Sequence, residues 1–562
     1  MDYRQIIADL IDIEGVDKAD IYDSITIAKD SSLGDYALPC FKFAKVMRKS
    51  PVMIANELAE NMRSDANIKS VTPVNGYLNF FIDKDSYNKR VLDEVVSKGD
   101  DYGKSDLGHG KTICIDYSSV NIAKPFHIGH LLNTAIGASL YRTFKALGYD
   151  VVGINHLGDW GTQFGKLISA YKRWGNKEDI ERRGLDGLLE IYVRFHEEAE
   201  KDDSLNDEGR HYFKMIEDGD AEALELFHWF KDITLKEVMK VYDRLHVQFD
   251  SYNGESFYND KMEPVLDELR EKGLLERSEG AEVVMFPNDE MPPCLLVRKD
   301  GATLYATRDM AAAFYRKKTY DFDKCLYVVA YQQNLHFRQF FKVIEMMGYD
   351  WAKDLVHVAH GMVSLESGSM SSRKGKVVFV RDVLNTAVEK AHAVIEAKNP
   401  NLEDKDAIAE KVGVGAVIFA MLASSRIKDV VFDYDKVLAF EGETAPYVQY
   451  TYARCQSLLE KAGEIGSDVD YSALDNASAN EVIKLIDRYK ATLEDVAKKY
   501  EPSVMTRHVI DLCQAFNKFY FESRILDSEE GVKNARLLLV KATRQVIKNE
   551  LALLGIECPE HM

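Results

Sequence analysis

A chain of 562 residues, 46% of them apolar, has room for about three or four domains with cores of their own. Its net charge of −20 argues against a protein that coats nucleic acid non-specifically, while leaving room for a local basic groove on an acidic body. No stretch approaches the roughly twenty apolar residues that span a bilayer, and seven cysteines scattered without a CxxC pair point to reduced thiols in a cytosolic protein and away from structural zinc.

The opening MDYRQIIADLIDIEG is acidic and amphipathic, unlike a signal peptide, and Ile6, Leu10 and Ile13 mark a helix. Residues 41–47 read as helical, and Pro51 opens a further helix through Ile54, Leu58 and Met62. Residues 71–82 carry an Asn-Gly turn and then a strand. Residues 1–105 therefore read as a small α/β domain, closed by a linker over 100–110 that is rich in Gly, Asp and Ser.

The most informative stretch follows, from Cys114 to Lys166. An apolar run over 112–117 predicts a buried strand, and a Ser/Asn/Pro loop leads into His127-Ile128-Gly129-His130. Leu131, Leu132, Ala135, Ala138, Leu140 and Phe144 then recur at helical spacing until Gly148, and a second strand covers 151–155. Strands joined through a helix in this way are parallel and buried. Residues 171–286 change to long charged helices, an insertion between two halves of a sheet whose charges form a solvated face. Asp300-Gly301 marks a hairpin between 294–299 and 302–306. A second half-sheet is expected from a helix over 307–317, a strand over 325–330, a helix over 335–347 and a strand over 355–360. A Gly/Ser-rich loop spans 361–375, and from Arg381 onward the chain reads almost only as helix. Lys541, Arg544 and Lys548 share one face there, either a stripe that contacts phosphates or a solvated surface.

His127 and His130 stand where a strand gives way to a helix, and such a helix start suits a phosphate. Three residues apart, they share a face, and imidazoles can donate to phosphate oxygens as these gain charge. Gly129 leaves room for a nucleotide beside the backbone. Taken alone, the four residues equally describe capping or surface histidines. The loop Ser369-Met370-Ser371-Ser372-Arg373-Lys374-Gly375 offers hydroxyls and cations to a triphosphate, or is an ordinary surface loop. Tyr305 and Asp309, four apart at a helix start, can share a face and hold a cation between ring and carboxylate. Asp116 ends the first strand, where open parallel sheets present ligands, and Asn121 follows in the loop. No Ser/His/Asp triad and no metal-ligand spacing is legible, so magnesium is expected only with a nucleotide's phosphates.

Set in order, SSVNIAKPFHIGH and SMSSRKG resemble the HIGH and KMSKS signatures of class I aminoacyl-tRNA synthetases. With GDYALPCFKFAK, NGYLNFFID, LGDWGTQFG, YATRD, YQQNLHFRQFF and EGETAPYVQYTYAR, the resemblance narrows to the arginyl branch of that family and covers essentially the whole chain. It implies an α/β architecture in three parts: an N-terminal additional domain over 1–105 that contacts the tRNA elbow, a Rossmann-type parallel-sheet catalytic domain over 106–380 with a helical insertion at about 171–290, and an all-α anticodon-binding domain over 381–562. It implies that ATP and L-arginine give arginyl-adenylate and pyrophosphate, after which the terminal adenosine of tRNA(Arg) takes the arginyl group, and that the enzyme is a cytoplasmic monomer. Bound tRNA is typically needed even for the first step.

By the same resemblance, His127, Gly129, His130, Gly158, Asp159, Met370, Ser371 and Ser372 match ATP-binding positions. Asp116, Ser118, Asn121, Tyr305, Asp309 and Gln333 match arginine-binding ones, Asp116 standing where relatives often have glutamate. Carboxylates suit this role, because a guanidinium pairs with them bidentately and lysine cannot copy that. Ser369 and Ser372 occupy the two lysine positions of the KMSKS register, which moves the catalytic charge to Lys124, Arg373 and Lys374 beside His127 and His130. Two rivals are a nucleotidyl transferase without an RNA substrate and a non-catalytic RNA-binding protein. The front domain and helical tail oppose the first, and the intact histidine, Asn121, Tyr305 and Asp309 positions oppose the second.

Overall fold

The computed structural model describes residues 3–28, 33–122, 126–365 and 378–562. These form two compact units.

The first unit gathers Met1–Gly99 with Leu458–Asp487 and Ala515–Gln545. The predicted opening helix runs Tyr3–Leu10, and the Pro51 helix spans Pro51–Asn61 with Ser50 accepting from the Met53 N–H as its cap. The Asn-Gly turn joins strands Ile68–Val74 and Tyr77–Ile82; Asn75 and Gly76 both have positive φ, 51° and 82°, as a type I′ hairpin requires. These strands extend into a sheet with Tyr36–Pro39, over a core that includes Ile7, Ile21, Leu38, Ile54, Leu78 and Phe80. Residues 41–47 are less regular than expected, a 3-10 turn Cys40–Phe43 followed by the single helical turn Ala44–Met47. Lys84 pairs with Asp475 and Arg90 with Asp487, so front and tail segments share ion pairs inside this unit.

The second unit, Asp100–Ser457 with Arg488–Gln514 and Val546–Met562, is built on a parallel sheet. Among the described residues its strand order is Leu355–His357, Lys324–Tyr327, Thr112–Asp116, Asp150–Ile154. All neighbours are parallel, and Tyr327 lies in register with Asp116, as does Ile154. The signature helix Gly129–Ala146 links the last two strands of this order, and nearly all of its residues from Leu131 onward are buried, as the apolar spacing predicted. The insertion is helical from Thr162–Trp174 to Ala221–Arg244, with its own core of Phe164, Leu167, Leu188, Phe195, Phe227 and Phe230.

Several elements differ from expectation. The strand Cys294–Val297 belongs to a small antiparallel sheet with Leu275–Ser278 and Ala281–Val284, and the helix after the Asp300-Gly301 turn begins at Tyr305, not at residue 307. Val363–Leu365, read as loop, is a strand parallel to Val430–Phe432. That second strand interrupts the expected run of tail helices, because three residues with no alternating pattern leave no period to detect.

Candidate active site

The carboxyl ends of the parallel strands converge on one set of polar side chains, all within the second unit. Asp116 closes the strand Thr112–Asp116, and its Oδ2 pairs with Arg316 Nη2 at 2.7 Å. Both groups are buried, Arg316 to 1% side-chain exposure and Asp116 to 7%. Ser118 follows with φ 69° and a fully buried hydroxyl. Its Oγ meets Tyr242 Oη at 2.8 Å and accepts from Thr134 at 2.7 Å, and Tyr242 Oη also accepts from Asn155 at 2.9 Å. This closed hydrogen-bond chain ties the loop to the signature helix and the insertion. Asn121 bridges to Gly158, with Gly158 N–H donating to Val120 O and Ile122 N–H to Gly158 O. The approach is so close that a Cβ on residue 158 would lie 2.3 Å from Asn121 Oδ1. Asp159, fully buried, accepts from Lys231, from the Ser256 N–H at 2.9 Å and from Ser256 Oγ at 2.8 Å.

The two signature histidines stack, ring centroids 3.8 Å apart. Gly129 N–H donates to His127 Nδ1 at 3.1 Å, which places the proton of a neutral His127 on Nε2. Backbone pairing also joins the signature to the far side of the serine-rich loop. Ile128 N–H donates to Val378 O and Val380 N–H to Phe126 O, with His127 opposite Phe379. The chain thus returns from the loop against the histidines. Lys124, Met370, Ser371, Ser372, Arg373 and Lys374 lie outside the described residues.

Tyr305 and Asp309 share the first turns of the helix Tyr305–Tyr320. Tyr305 is exposed, and its ring centroid lies 4.6 Å from that of His336. Asp309 Oδ2 meets His336 Nε2 at 2.6 Å, and Oδ1 lies 3.9 Å from His156 Nε2. Burial works against the Asp309 charge, but the hydrogen bond and charge of His336, with His156 and Arg316 behind, hold its pKa below the ordinary carboxylate value. Burial lowers the His156 pKa as well, which for an imidazole favours the neutral form. Gln333 ends the short turn Tyr331–Gln333, exposed, beside the bridge between Ala330 and His360. At the rim stands Glu255, its carboxylate 3.8 Å from Arg308; burial raises its pKa to about 7 despite that cation.

The sequence pointed to Asp116, Asp309, Tyr305 and the histidine pair but not to His156, His336, Arg316 or Glu255. His336 falls inside the YQQNLHFRQFF stretch, three residues past Gln333, and Arg316 lies seven residues past Asp309, two helical turns along one face.

The description "tRNA synthetases class I (R), catalytic domain" matches residues 91–434. The chain belongs to the arginyl-tRNA synthetase family. "Arginyl tRNA synthetase N terminal domain" matches residues 2–82 and "DALR anticodon binding domain" residues 448–562, so the chain is a class I aminoacyl-tRNA ligase from end to end of the match. It is 51% identical over 564 residues to the arginine–tRNA ligase of Alkaliphilus metalliredigens and 52% identical over 569 residues to that of Clostridium botulinum strain Alaska E43, each match covering 100% of both chains. The solved arginyl-tRNA synthetase of Thermus thermophilus superposes with a TM-score of 0.79 at 26% identity over 96% of each chain. Among the described residues no helix is long and apolar enough to cross a membrane.

Proposed function

We propose that the chain joins L-arginine to tRNA(Arg) at this sheet edge in two steps. A carboxylate oxygen of arginine attacks the α-phosphorus of ATP; the new P–O bond gives arginyl-adenylate as the bond to pyrophosphate breaks. The 2′-hydroxyl of the terminal adenosine then attacks the arginyl carbonyl carbon, and AMP leaves. The observation that carries this reading is a single sheet end bearing both a carboxylate and an exposed aromatic ring that meet at His336, Asp309 with Tyr305, and a helix start with two stacked imidazoles.

Asp309 accepts the guanidinium of the substrate while the Tyr305 ring covers it. Asn121 and Gln333 contact the rest of the amino acid. Gly158 admits the nucleotide, and Asp159 holds that loop through Lys231 and Ser256. His127 and His130 donate to the phosphates, whose charge grows in the transition state. Lys124, Arg373 and Lys374 neutralise the departing pyrophosphate, Met370, Ser371 and Ser372 flank it, and magnesium enters with ATP. The protein acts in the cytoplasm as a monomer.

Arginine-dependent exchange of labelled pyrophosphate into ATP, run with and without tRNA(Arg), tests the reading. The expected result is exchange that needs arginine and rises sharply with tRNA. Exchange driven by another amino acid, or tRNA retention with no exchange at all, overturns it.

A further inference from the structure

Arg316 is the largest fully buried side chain of the described residues. A guanidinium withdrawn from water needs a counter-charge and hydrogen bonds. Asp116 supplies the charge at 2.7 Å, and the ring of Tyr327, at the end of the neighbouring strand, lies 5.3 Å away. The same Nη2 that meets Asp116 also lies 3.4 Å from His156 Nδ1. A donor facing Nδ1 assigns the imidazole proton to Nε2. That Nε2 is the atom facing Asp309 Oδ1 at 3.9 Å, while His336 holds Oδ2. One guanidinium thus touches both the carboxylate at the strand end and the ring that leans on the other carboxylate.

We propose that Arg316 is a positioning residue for arginine recognition: it takes Asp116 as its own counter-ion and orients His156, so that Asp116 is withdrawn from the substrate guanidinium and Asp309 is presented to it. This rests on the reading of Asp309 as the arginine ligand. An uncompensated Asp116 at the strand end would attract any cation; with Asp116 taken, Asp309, fixed through Oδ2 by His336, selects a donor fork of set geometry. Asp116 then backs the site and does not grip the substrate, which accounts for its Oδ1 facing Ser119 at 3.3 Å and its Oδ2 facing Arg316.

Arg316→Met, Arg316→Lys and the double variant Asp116→Asn/Arg316→Met test this through KM for arginine and for ATP in tRNA charging, with lysine as a competitor. Arg316→Met is expected to raise KM for arginine roughly 10–100-fold, the loss that goes with removing a charged hydrogen-bond partner. KM for ATP should stay within about twofold. Arg316→Lys should be intermediate, and lysine should compete better in both. Removing Asp116 with Arg316 eliminates the stranded charge, so the double variant should lie closer to wild type than Arg316→Met. Equal changes in both KM values, or a double variant worse than Arg316→Met, overturn the proposal; the latter makes Asp116 a direct ligand. Where Arg316→Met does not fold, an unchanged arginine KM in Arg316→Lys overturns it. Wild-type protein that fails to charge tRNA with arginine sinks the functional reading itself, and this inference with it.

Discussion

The two ends of the site are made of different materials. At the end proposed for the amino acid, carboxylates have partners inside the protein: Asp116 has Arg316, and Asp309 has His336. At the end proposed for the phosphates, the described residues offer stacked imidazoles and a helix start, and the cations proposed to join them, Lys124, Arg373 and Lys374, lie outside the described residues. The difference follows from the two ligands. A guanidinium is a fixed cation whose geometry must be tested, and on the reading proposed above its carboxylate, Asp309, is held through Oδ2 by His336. The triphosphate is recognised most strongly while its charge moves, so groups that strengthen with charge matter more than groups that fit the ground state.

The largest effect should come from breaking the amino-acid end. Asp309→Asn keeps the shape but removes the charge that the guanidinium needs. KM for arginine should rise by roughly 100-fold or more, with KM for ATP nearly unchanged, in steady-state charging. An arginine KM near that of wild type would place the guanidinium elsewhere.

The phosphate end should respond in the opposite manner. His130→Ala is expected to lower the rate of adenylate formation by roughly 100-fold, with ground-state affinity for ATP and arginine little altered, as for a donor that acts on developing charge. Lys124→Ala should follow the same pattern at roughly 10–100-fold, because Ser369 and Ser372 leave it the cation nearest the histidines in sequence. Single-turnover adenylation measured against ATP affinity separates the two behaviours. A near-normal rate in Lys124→Ala removes it from the phosphate site.

This contrast also explains what could be read from the sequence. Periodicity exposed the parallel strands and the signature helix, because a buried strand and a helix packed along its whole length leave strong apolar patterns. The signature motifs and Tyr305–Asp309 were legible because their residues lie within one or two turns of each other. The compensation behind them was not. Arg316 looks like an ordinary cation near a helix end, and only the strand order brings Asp116 and Tyr327 beside it in register. His156 and His336 lie far from Asp309 in sequence, one on either side, so no local spacing connects them. The same limit hid Val363–Leu365, whose partner strand lies beyond an intervening helix pair.

The smallest effect concerns the rim, where compensation is incomplete, and it sharpens the comparison by showing what an uncompensated carboxylate does here. Burial raises the Glu255 pKa from its ordinary 4.5 to about 7, the Arg308 cation at 3.8 Å offsetting only part of it. Between those two values the native protein keeps a proton that the unfolded chain has lost. Native binding of more protons means that stability falls as pH rises through this window, and the cost is complete above it. Asp309 behaves in the reverse sense, because its partners lower its pKa and its stabilisation is lost only when acid protonates it. Glu255→Gln removes the cost at the rim without changing the side chain's shape. Thermal midpoints should therefore coincide for variant and wild type near the acid end of the window and diverge in favour of the variant above it, by roughly 2 °C given partial exposure and a chain of this size. A constant offset at all pH values would mean that packing, and not titration, sets the difference. A variant less stable at high pH would mean that the Arg308 pair outweighs burial.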